Sequence, residues 1–180
     1  MQRYILTGAP GAGKTSIIRL LEAQGHSVVD EAATAVIALE QAQGDPEPWT
    51  QAAFIDKITC LQRHRQLRAA AAAAGIQFYD RSPVCTLALS RYLGHPVPEV
   101  LSAEISRITR EQVYQRHVFF VSNLGCCEPT AARRISFEDS LDFERVHADS
   151  YRALGYELID VPAGPLAGRA AAITAAVTRL

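Results

Sequence analysis

The sequence lacks the features that mark several classes of protein. No run of about eighteen apolar residues occurs among its 180 residues, so no segment is expected to span a bilayer. The formal net charge is only −1, which argues against a protein dedicated to binding nucleic acid. The four cysteines show no paired C-x-x-C spacing, so the sequence predicts neither a zinc site nor a disulfide framework.

Two further absences bear on location and on charge. The first residues lack a signal peptide's order of basic region, apolar core and small-residue cleavage site, so we expect a cytoplasmic protein. Lysine is scarce: Lys14 and Lys57 stand against 16 arginines. The hydrophobic fraction of 48% is too high for a disordered chain, and the length suits a single domain spanning residues 1–180.

Short apolar runs alternate with helical patterns along the chain. Strands are predicted at about residues 4–6, 27–30, 76–80, 117–122 and 156–161. Strands that are apolar throughout and separated by helices predict an α/β fold, a five-stranded parallel sheet with helices on both faces.

Two segments interrupt this alternation. A helical pattern follows the breaker Gly44-Asp45-Pro46-Glu47-Pro48, and we expect the segment at about 45–75, helical from Trp49, to border a substrate pocket. Residues 124–139 show no clear period.

A glycine-rich loop between the first strand and the first helix matches the pattern G-x-x-x-x-G-K-[ST]. In such a loop, backbone N–H groups converge on phosphate oxygens, the lysine adds a mobile charge at the β- and γ-phosphates, and the hydroxyl holds Mg²⁺. The pattern predicts a nucleotide site formed by Gly8, Ala9, Pro10, Gly11, Ala12, Gly13, Lys14 and Thr15, with Ser16 directly after them.

Two strands end in acidic residues that compete for the magnesium and base roles. Asp30 and Glu31 close the second strand in the manner of an ATPase Walker B segment, in which Asp holds Mg²⁺ and Glu polarises water. However, Asp30 follows Lys14 by only sixteen residues, which leaves room for one helix and the next strand. We therefore expect Asp30 and Glu31 to face a phosphoryl acceptor.

Asp80 closes the third strand at a more usual distance and is the predicted magnesium ligand. Arg81 beside it would direct a permanent cation at phosphate or at developing charge. The same segment also predicts a helix start, with Ser82 as its N-cap and Pro83 in the first turn. Capping and catalysis are compatible there.

The sequence resembles a known family through segments spread over nearly the whole chain. The matching segments are TGAPGAGKTS, VVDEAAT, GDPEPWTQAAF, FYDRSPVCTLALSRYLG, TAARRISFEDS and LGYELIDVPAG. They are similar to the P-loop kinase-like AAA-domain proteins, which include the ribosylnicotinamide kinase domain, and more distantly to the deoxynucleoside kinases. The resemblance implies a nucleoside- or nucleotide-kinase-like fold.

The resemblance also implies roles for individual residues. Glu31 takes the role of general base, with Asp30 as a second choice for base or metal ligand. Residues 124–139 fall where related kinases carry a short lid, and Arg133 and Arg134 within it would close over the transferring phosphate; two solvated loop arginines are the alternative. Pro162 and Ala163 follow the fifth strand, where related kinases border adenine.

Two functional hypotheses follow. The first is a small-molecule kinase in which MgATP donates its γ-phosphoryl group to a hydroxyl of a nucleoside-like metabolite. The second is a regulatory ATP-binding or ATPase module that acts through a protein partner, and it rests on interpreting Val28-Val29-Asp30-Glu31 as a Walker B strand. The absence of an N-K-x-D motif argues against a GTPase, and a homo-oligomer is left open.

Overall fold

Five parallel strands form one sheet in the computed structural model, which describes residues 1–72, 75–124 and 137–180. The order across the sheet is β2-β3-β1-β4-β5, and every pairing is parallel. The predicted α/β fold is thereby confirmed. The strands are β1 (Gln2–Thr7), β2 (Ser27–Val29), β3 (Ile76–Asp80), β4 (His117–Val121) and β5 (Glu157–Val161).

Helices cover both faces of this sheet. They are α1 (Lys14–Ala23), α2 (Ala32–Ala42), α3 (Ala53–Ala72), α4 (Pro83–Tyr92), α5 (Glu99–Arg110), α6 (Phe137–Ala153) and α7 (Leu166–Arg179). Within the described residues, no helix combines the length and hydrophobicity that crossing a bilayer requires.

Alternation of side chains along the strands divides the core between the two faces. In β1, the buried rings and chains of Tyr4 and Leu6 pack with α1 and α7, whereas Ile5 packs on the other face with α4, α5 and α6. Successive residues of a strand point to opposite faces, so a strand buried on both sides is apolar at every position. This explains why the strands were predicted from continuous apolar runs.

The helix predicted from Trp49 begins later than expected. A 3₁₀ turn occupies Pro48–Thr50, and α3 starts at Ala53. Gln51 adopts an extended conformation, with φ −84° and ψ 136°, and this conformation separates the two helical pieces. The turn places Trp49 beside the start of α3.

The strand order brings three chain segments to the same edge of the sheet. The glycine-rich loop follows β1, Asp80 ends β3 next to it, and Glu31 follows β2 one strand further out. In open parallel sheets, ligands bind outside the carboxyl ends of the strands, near the point where the strand order reverses. The predicted site residues from these three strands therefore converge.

Candidate active site

The glycine-rich loop joins the end of β1 to the start of α1, as predicted. Gly8 has a φ of +125°, and a Cβ atom there would lie 2.3 Å from the backbone oxygen of Val121. Only glycine combines this conformation with so close an approach to β4. The loop is thus fixed against the middle of the sheet where its amides lie over the carboxyl ends of the strands.

Lys14 is the first residue of α1 and is buried. Its Nζ donates hydrogen bonds to the carbonyl oxygens of Gly8 at 3.0 Å and Ala9 at 2.6 Å. Burial, reinforced by the positive charge of Arg81, lowers the pKa of Lys14 to about 7, against the opposing attraction of Asp80 and Glu31. Negative charge brought into the loop would favour the protonated lysine.

Thr15 and Asp80 form the part of the site that suits a divalent cation. The Thr15 hydroxyl donates to Oδ2 of Asp80 at 2.8 Å, and Oδ1 of Asp80 is buried without a hydrogen-bond partner among the described residues. Burial, and then the charge of Glu31, raise the pKa of Asp80. A hydroxyl and a carboxylate with an uncommitted oxygen are ligands of the kind that Mg²⁺ takes.

Glu31 is the N-cap residue of α2, and both of its carboxylate oxygens are engaged. Oε1 lies 2.5 Å from Nε of Arg81, and Oε2 accepts a hydrogen bond of 2.6 Å from the Thr34 hydroxyl. Burial alone would raise the pKa of Glu31, but the charge of Arg81 and the bond from Thr34 outweigh it and hold the pKa below its ordinary value. Glu31 is therefore ionised near neutral pH.

Arg81 occupies a left-handed conformation, with φ +72°, between β3 and α4. Such a conformation is unfavourable for a non-glycine residue and persists only where its surroundings hold it. Its N–H donates to the Leu6 carbonyl at 3.1 Å, and its guanidinium meets Glu31 and His147. Burial opposes the charge on Arg81, but Glu31, Cys85 and Asp80 together outweigh it and raise the pKa of Arg81 above the usual value.

His147 of α6 is fully buried and lies behind Arg81. Its Nδ1 lies 2.9 Å from the Phe143 carbonyl, and its Nε2 lies 3.1 Å from Nη1 of Arg81. The carbonyl only accepts and the guanidinium only donates, so Nδ1 carries the proton and Nε2 accepts. Burial and then the charge of Arg81 keep the pKa of His147 well below its usual value, so the ring is neutral.

A cavity of about 750 Å³ connects the phosphate loop with an apolar region. At one end lie Lys14, Thr15, Glu31 and Arg81, and at the other the walls are mainly aromatic and aliphatic. The side chains of that second region are Ile37, Trp49, Phe54, Ile58, Leu89, Tyr92, Leu93 and Phe143. Charged groups thus meet an apolar region of a size that suits a small organic molecule.

Among the described lining residues, Thr86 and Gln62 form a polar pair on the apolar walls, and Asp139 adds a carboxylate to the cavity lining. The Thr86 hydroxyl donates to Oε1 of Gln62 at 2.8 Å, and both residues line the cavity. This bond fixes the Gln62 amide with its NH₂ group as a donor for a ligand oxygen or nitrogen. The segment at about 45–75 therefore contributes Trp49, Phe54, Ile58 and Gln62 to the cavity.

The remaining predicted site residues lie in different surroundings. Pro10 and Ser16 line the cavity at the phosphate loop. Asp30 is exposed, and its carbonyl accepts a hydrogen bond from Arg65 at 3.0 Å. Pro162 and Ala163 are exposed in the loop after β5.

The predicted lid falls mainly on residues 125–136, which lie outside the described residues together with Arg133 and Arg134. Leu124 and Asp139 flank that segment, and both line the cavity. Among the described residues, no group of three or more His, Cys, Asp or Glu side chains could form a metal cluster.

Some residues of the site carry no sequence signal. Thr34 ends the segment VVDEAAT but was given no role, and His147 belongs to no motif, although each contacts a member of the Glu31–Arg81 pair. The only sequence pattern that includes His147 is helical spacing, because His147 lies one turn after Phe143. Ser82, by contrast, was predicted as an N-cap, and its hydroxyl does accept the Val84 N–H at 3.2 Å.

The loop, the parallel sheet and the strand order define a P-loop protein with a kinase-like fold. A family model described as an AAA domain matches residues 3–169, and the chain belongs to that family. No curated protein sequence shows significant similarity to the chain.

Solved structures show the same fold at low sequence identity. The deoxyadenosine kinase of M. mycoides, with dCMP and a flexible dCDP bound, is 13% identical with a TM-score of 0.63, over 99% of this chain and 100% of that one. The NadR protein in complex with NAD and AMP-PNP is 16% identical with a TM-score of 0.68, over 97% of this chain. This chain spans about half of NadR, or 48% of its length. The resemblance to nucleoside kinase-like P-loop proteins is thereby confirmed.

Proposed function

We propose that the protein is a Mg²⁺-dependent kinase that transfers the γ-phosphoryl group of ATP to a hydroxyl of a nucleoside-like small molecule. The observation that carries this proposal is the shared cavity, in which the Glu31 carboxylate and the phosphate loop face a largely apolar region. An ATPase needs only water at that position, whereas this region has room for an organic acceptor. The fold shared with a deoxyadenosine kinase and with NadR supports the same class of reaction.

Nucleotide binding is assigned to residues 8–16. The loop amides and Lys14 would neutralise the phosphates, with Lys14 exchanging the carbonyl oxygens of Gly8 and Ala9 for phosphate oxygens. Pro162 and Ala163 are proposed to border the base, where an exposed loop of small residues suits a flat ring.

Thr15 and Asp80 are the residues proposed to hold Mg²⁺. The hydroxyl of Thr15 and the unpartnered Oδ1 of Asp80 offer oxygen ligands beside the loop. When bound, Mg²⁺ would neutralise charge on the β- and γ-phosphates. Asp80 ends the strand adjacent to β1, whereas Asp30 follows a strand one position further out and is exposed, so Asp30 remains the second choice as ligand.

In the transfer step, the acceptor oxygen forms a bond to the γ-phosphorus as the bond to the β–γ bridging oxygen breaks and ADP leaves. The proton of the acceptor hydroxyl passes to the Glu31 carboxylate, and Arg81 beside it offsets the negative charge of the incoming phosphoryl group. A carboxylate of lowered pKa serves here because it orients the hydroxyl and receives the proton late. Arg133 and Arg134 are proposed to complete the positive charge around the phosphoryl group.

The acceptor is proposed to place a flat ring in the apolar region. Trp49, Phe54 and Tyr92 offer ring faces and edges, and the Gln62 amide offers a donor at one position on the wall. The largely apolar walls favour an uncharged ring with at least one hydrogen-bond acceptor, and the Asp139 carboxylate, which also lines the cavity, disfavours an anionic one. A nucleoside has such a ring and a primary hydroxyl at its other end.

A radiolabelled transfer assay tests the proposed function. The purified protein is incubated with Mg²⁺, ATP labelled at the γ-phosphate and a panel of nucleosides and related metabolites, with Lys14→Ala as the inactive control. We expect a labelled product with at least one panel member and none with the control. The alternative result is ATP hydrolysis with no labelled product from any panel member. If a protein partner stimulates that hydrolysis, the result would favour the regulatory ATPase function.

A further inference from the structure

Arg169 of α7 is buried behind the phosphate loop and lies outside the proposed chemistry. It is only 5% exposed, and its Nη1 donates to the carbonyl oxygen of Ala12 at 2.8 Å. Its Nη2 donates to the carbonyl oxygen of Ser122, just after β4, at 3.1 Å. One guanidinium thereby joins three elements, since α7 reaches both the loop and the end of β4.

Gly13 provides the space for this approach. Its φ is +82°, and a Cβ atom built there would lie 3.2 Å from Nη1 of Arg169, closer than side-chain contacts usually come. The second glycine of the motif therefore admits the guanidinium against the back of the loop. The lack of a side chain at Gly13 is therefore needed for the packing of Arg169, independently of any contact between the Gly13 backbone and a phosphate.

The geometry of the peptide bond converts this contact into an orientation of the loop. The Ala12–Gly13 peptide is trans, and in a planar trans peptide the C=O and the next N–H point in opposite directions. Since Arg169 holds the Ala12 oxygen on one side, the Gly13 N–H is directed to the other. Gly13 lines the cavity, and it precedes the first turn of α1, whose free N–H groups favour anions.

The charge of Arg169 is also uncompensated within the part of the chain that the structure describes. No described carboxylate pairs with it, and its Nε has no described hydrogen-bond partner. Burial lowers the pKa of Arg169, which reflects the cost of keeping a cation there. A polyphosphate in the loop would supply the missing negative charge at short range.

We propose that Arg169 is a positioning residue for polyphosphate binding, which holds the Ala12–Gly13 peptide with its N–H toward the phosphates and adds positive charge from behind the loop. This inference rests on the nucleotide-binding part of the proposed function and is independent of the acceptor. It assigns no contact between Arg169 and the base, the ribose or the acceptor.

Calorimetric titration with two ligands tests this inference. Wild type, Arg169→Met, Arg169→Lys and the control Arg179→Met are titrated with MgATP and with inorganic tripolyphosphate. Arg179 is an exposed arginine of the same helix, so its variant reports general effects of losing a charge from α7. We expect Arg169→Met to weaken both ligands by at least tenfold, or about 1.4 kcal/mol, and Arg179→Met to change neither.

The lysine variant separates positioning from a general structural role. Lysine retains the charge but not the two-pronged contact with the Ala12 and Ser122 carbonyl oxygens, so we expect Arg169→Lys to recover part of the affinity that Arg169→Met loses. Thermal unfolding without ligand shows whether each variant is folded, and Arg169→Gln replaces Arg169→Met if the latter is not. Glutamine lacks the charge and is expected to lose affinity equally.

Four outcomes would overturn the inference in whole or in part. Wild-type affinity in the folded Met or Gln variant would show that Arg169 does not position the loop. Weaker ATP binding with unchanged tripolyphosphate binding would show that Arg169 acts on the nucleoside part of ATP and not on the phosphates. An Arg169→Lys variant that binds both ligands as weakly as Arg169→Met would show that the charge of Arg169 has no role. Failure of the wild type to bind either ligand would overturn the proposed function as well, which distinguishes the two.

Discussion

Nε of Arg81 lies 2.5 Å from Oε1 of Glu31, and the two residues follow different strands of the sheet, β3 and β2. The charge of the arginine helps to keep the carboxylate ionised, and the carboxylate in turn favours the charged guanidinium, whose residue has a left-handed backbone conformation. Neither side chain is therefore available independently of the other. In the proposed reaction, a hydroxyl that approaches Glu31 would therefore also approach the cation that offsets the charge of the phosphoryl group.

Replacement of Glu31 tests the proposed proton acceptor. We expect Glu31→Gln to lower the rate of phosphoryl transfer about 10²–10⁴-fold, because the amide cannot take the proton. ATP affinity should stay within about threefold, since Thr15, Asp80 and the loop are retained. Steady-state kinetics and ATP titration measure both quantities, with Glu22→Gln on the exposed surface of α1 as the control. Loss of Mg²⁺-dependent ATP binding would instead make Glu31 part of the metal site.

The lowered pKa of Lys14 predicts proton uptake when nucleotide binds. At pH 8 the side chain is mainly neutral, because its pKa is about 7, and phosphate beside it would restore the charge. Calorimetry with ADP at pH 8 in buffers of different ionisation enthalpy should report uptake of up to about one proton. Lys57→Met, at the other lysine of the chain, should leave that uptake unchanged. A binding heat independent of the buffer would contradict the prediction.

Replacement of Asp80 tests the proposed metal ligand. Asp80→Asn removes the charge beside Thr15, so Mg²⁺ should no longer strengthen ATP binding. We expect the increase in ATP affinity that Mg²⁺ produces to fall by at least about tenfold. ATP titrations with and without Mg²⁺ measure this increase. The exposed Asp149→Asn is the matched control. If Asp80→Asn keeps the Mg²⁺ response and Asp30→Asn abolishes it, the metal role belongs to Asp30.

The buried neutral His147 predicts a loss of stability on the acid side. Below its ordinary pKa of 6.5, the unfolded chain binds a proton at this residue and the folded protein does not. The contribution of neutral His147 to the free energy of unfolding is thus fully present above pH 6.5. As the pH falls below this value, that contribution decreases by up to about 1.4 kcal/mol per pH unit. Urea unfolding from pH 7.5 to 5.5 should show a shallower decline for His147→Gln than for wild type. The exposed His64→Gln should retain the wild-type slope.

Two glycines provide a matched pair for the loop. Gly8→Ala introduces a Cβ atom 2.3 Å from a backbone oxygen at a positive φ, so we expect a loss of about 2–5 kcal/mol in unfolding free energy. Gly168 lies in α7 with no atom within 4 Å of its added Cβ, and Gly168→Ala should stabilise the protein by about 0.5–1 kcal/mol. Chemical denaturation measures both changes. Equal effects of the two substitutions would contradict the assigned packing of Gly8 on β4.

The sequence predicts those parts of the protein that local patterns encode. Continuous apolar runs predict the strands, the glycine and lysine spacing predicts the phosphate loop, and Ser82 with Pro83 predicts the start of α4. The strand order could not be predicted in this way, because it depends on which distant segments pair. That order determines that Asp80 lies beside the loop and Asp30 does not.

The supporting residues of the site are unpredictable for a related reason. His147 and Arg169 act across 66 and 157 positions of the chain, and neither stands in a recognisable pattern. Of the arginines singled out in the sequence, Arg81 lies in the site, whereas Arg169 was not singled out at all. A buried arginine and an exposed one look alike until the fold assigns their surroundings.

Glu31 follows β2, which has three residues and pairs on one side only, whereas the phosphate loop follows the central strand β1. The nucleotide half of the site thus rests on the part of the sheet with hydrogen-bonded neighbours on both sides. Glu31 and the α2 residues Thr34 and Ile37, which line the cavity, rest on the margin, where fewer interactions must break for the backbone to shift. Under the proposed function, substitutions in β2 and α2 can therefore alter the surroundings of the acceptor hydroxyl while the phosphate loop keeps its shape, whereas the apolar walls lie mainly on α3, α4 and α6.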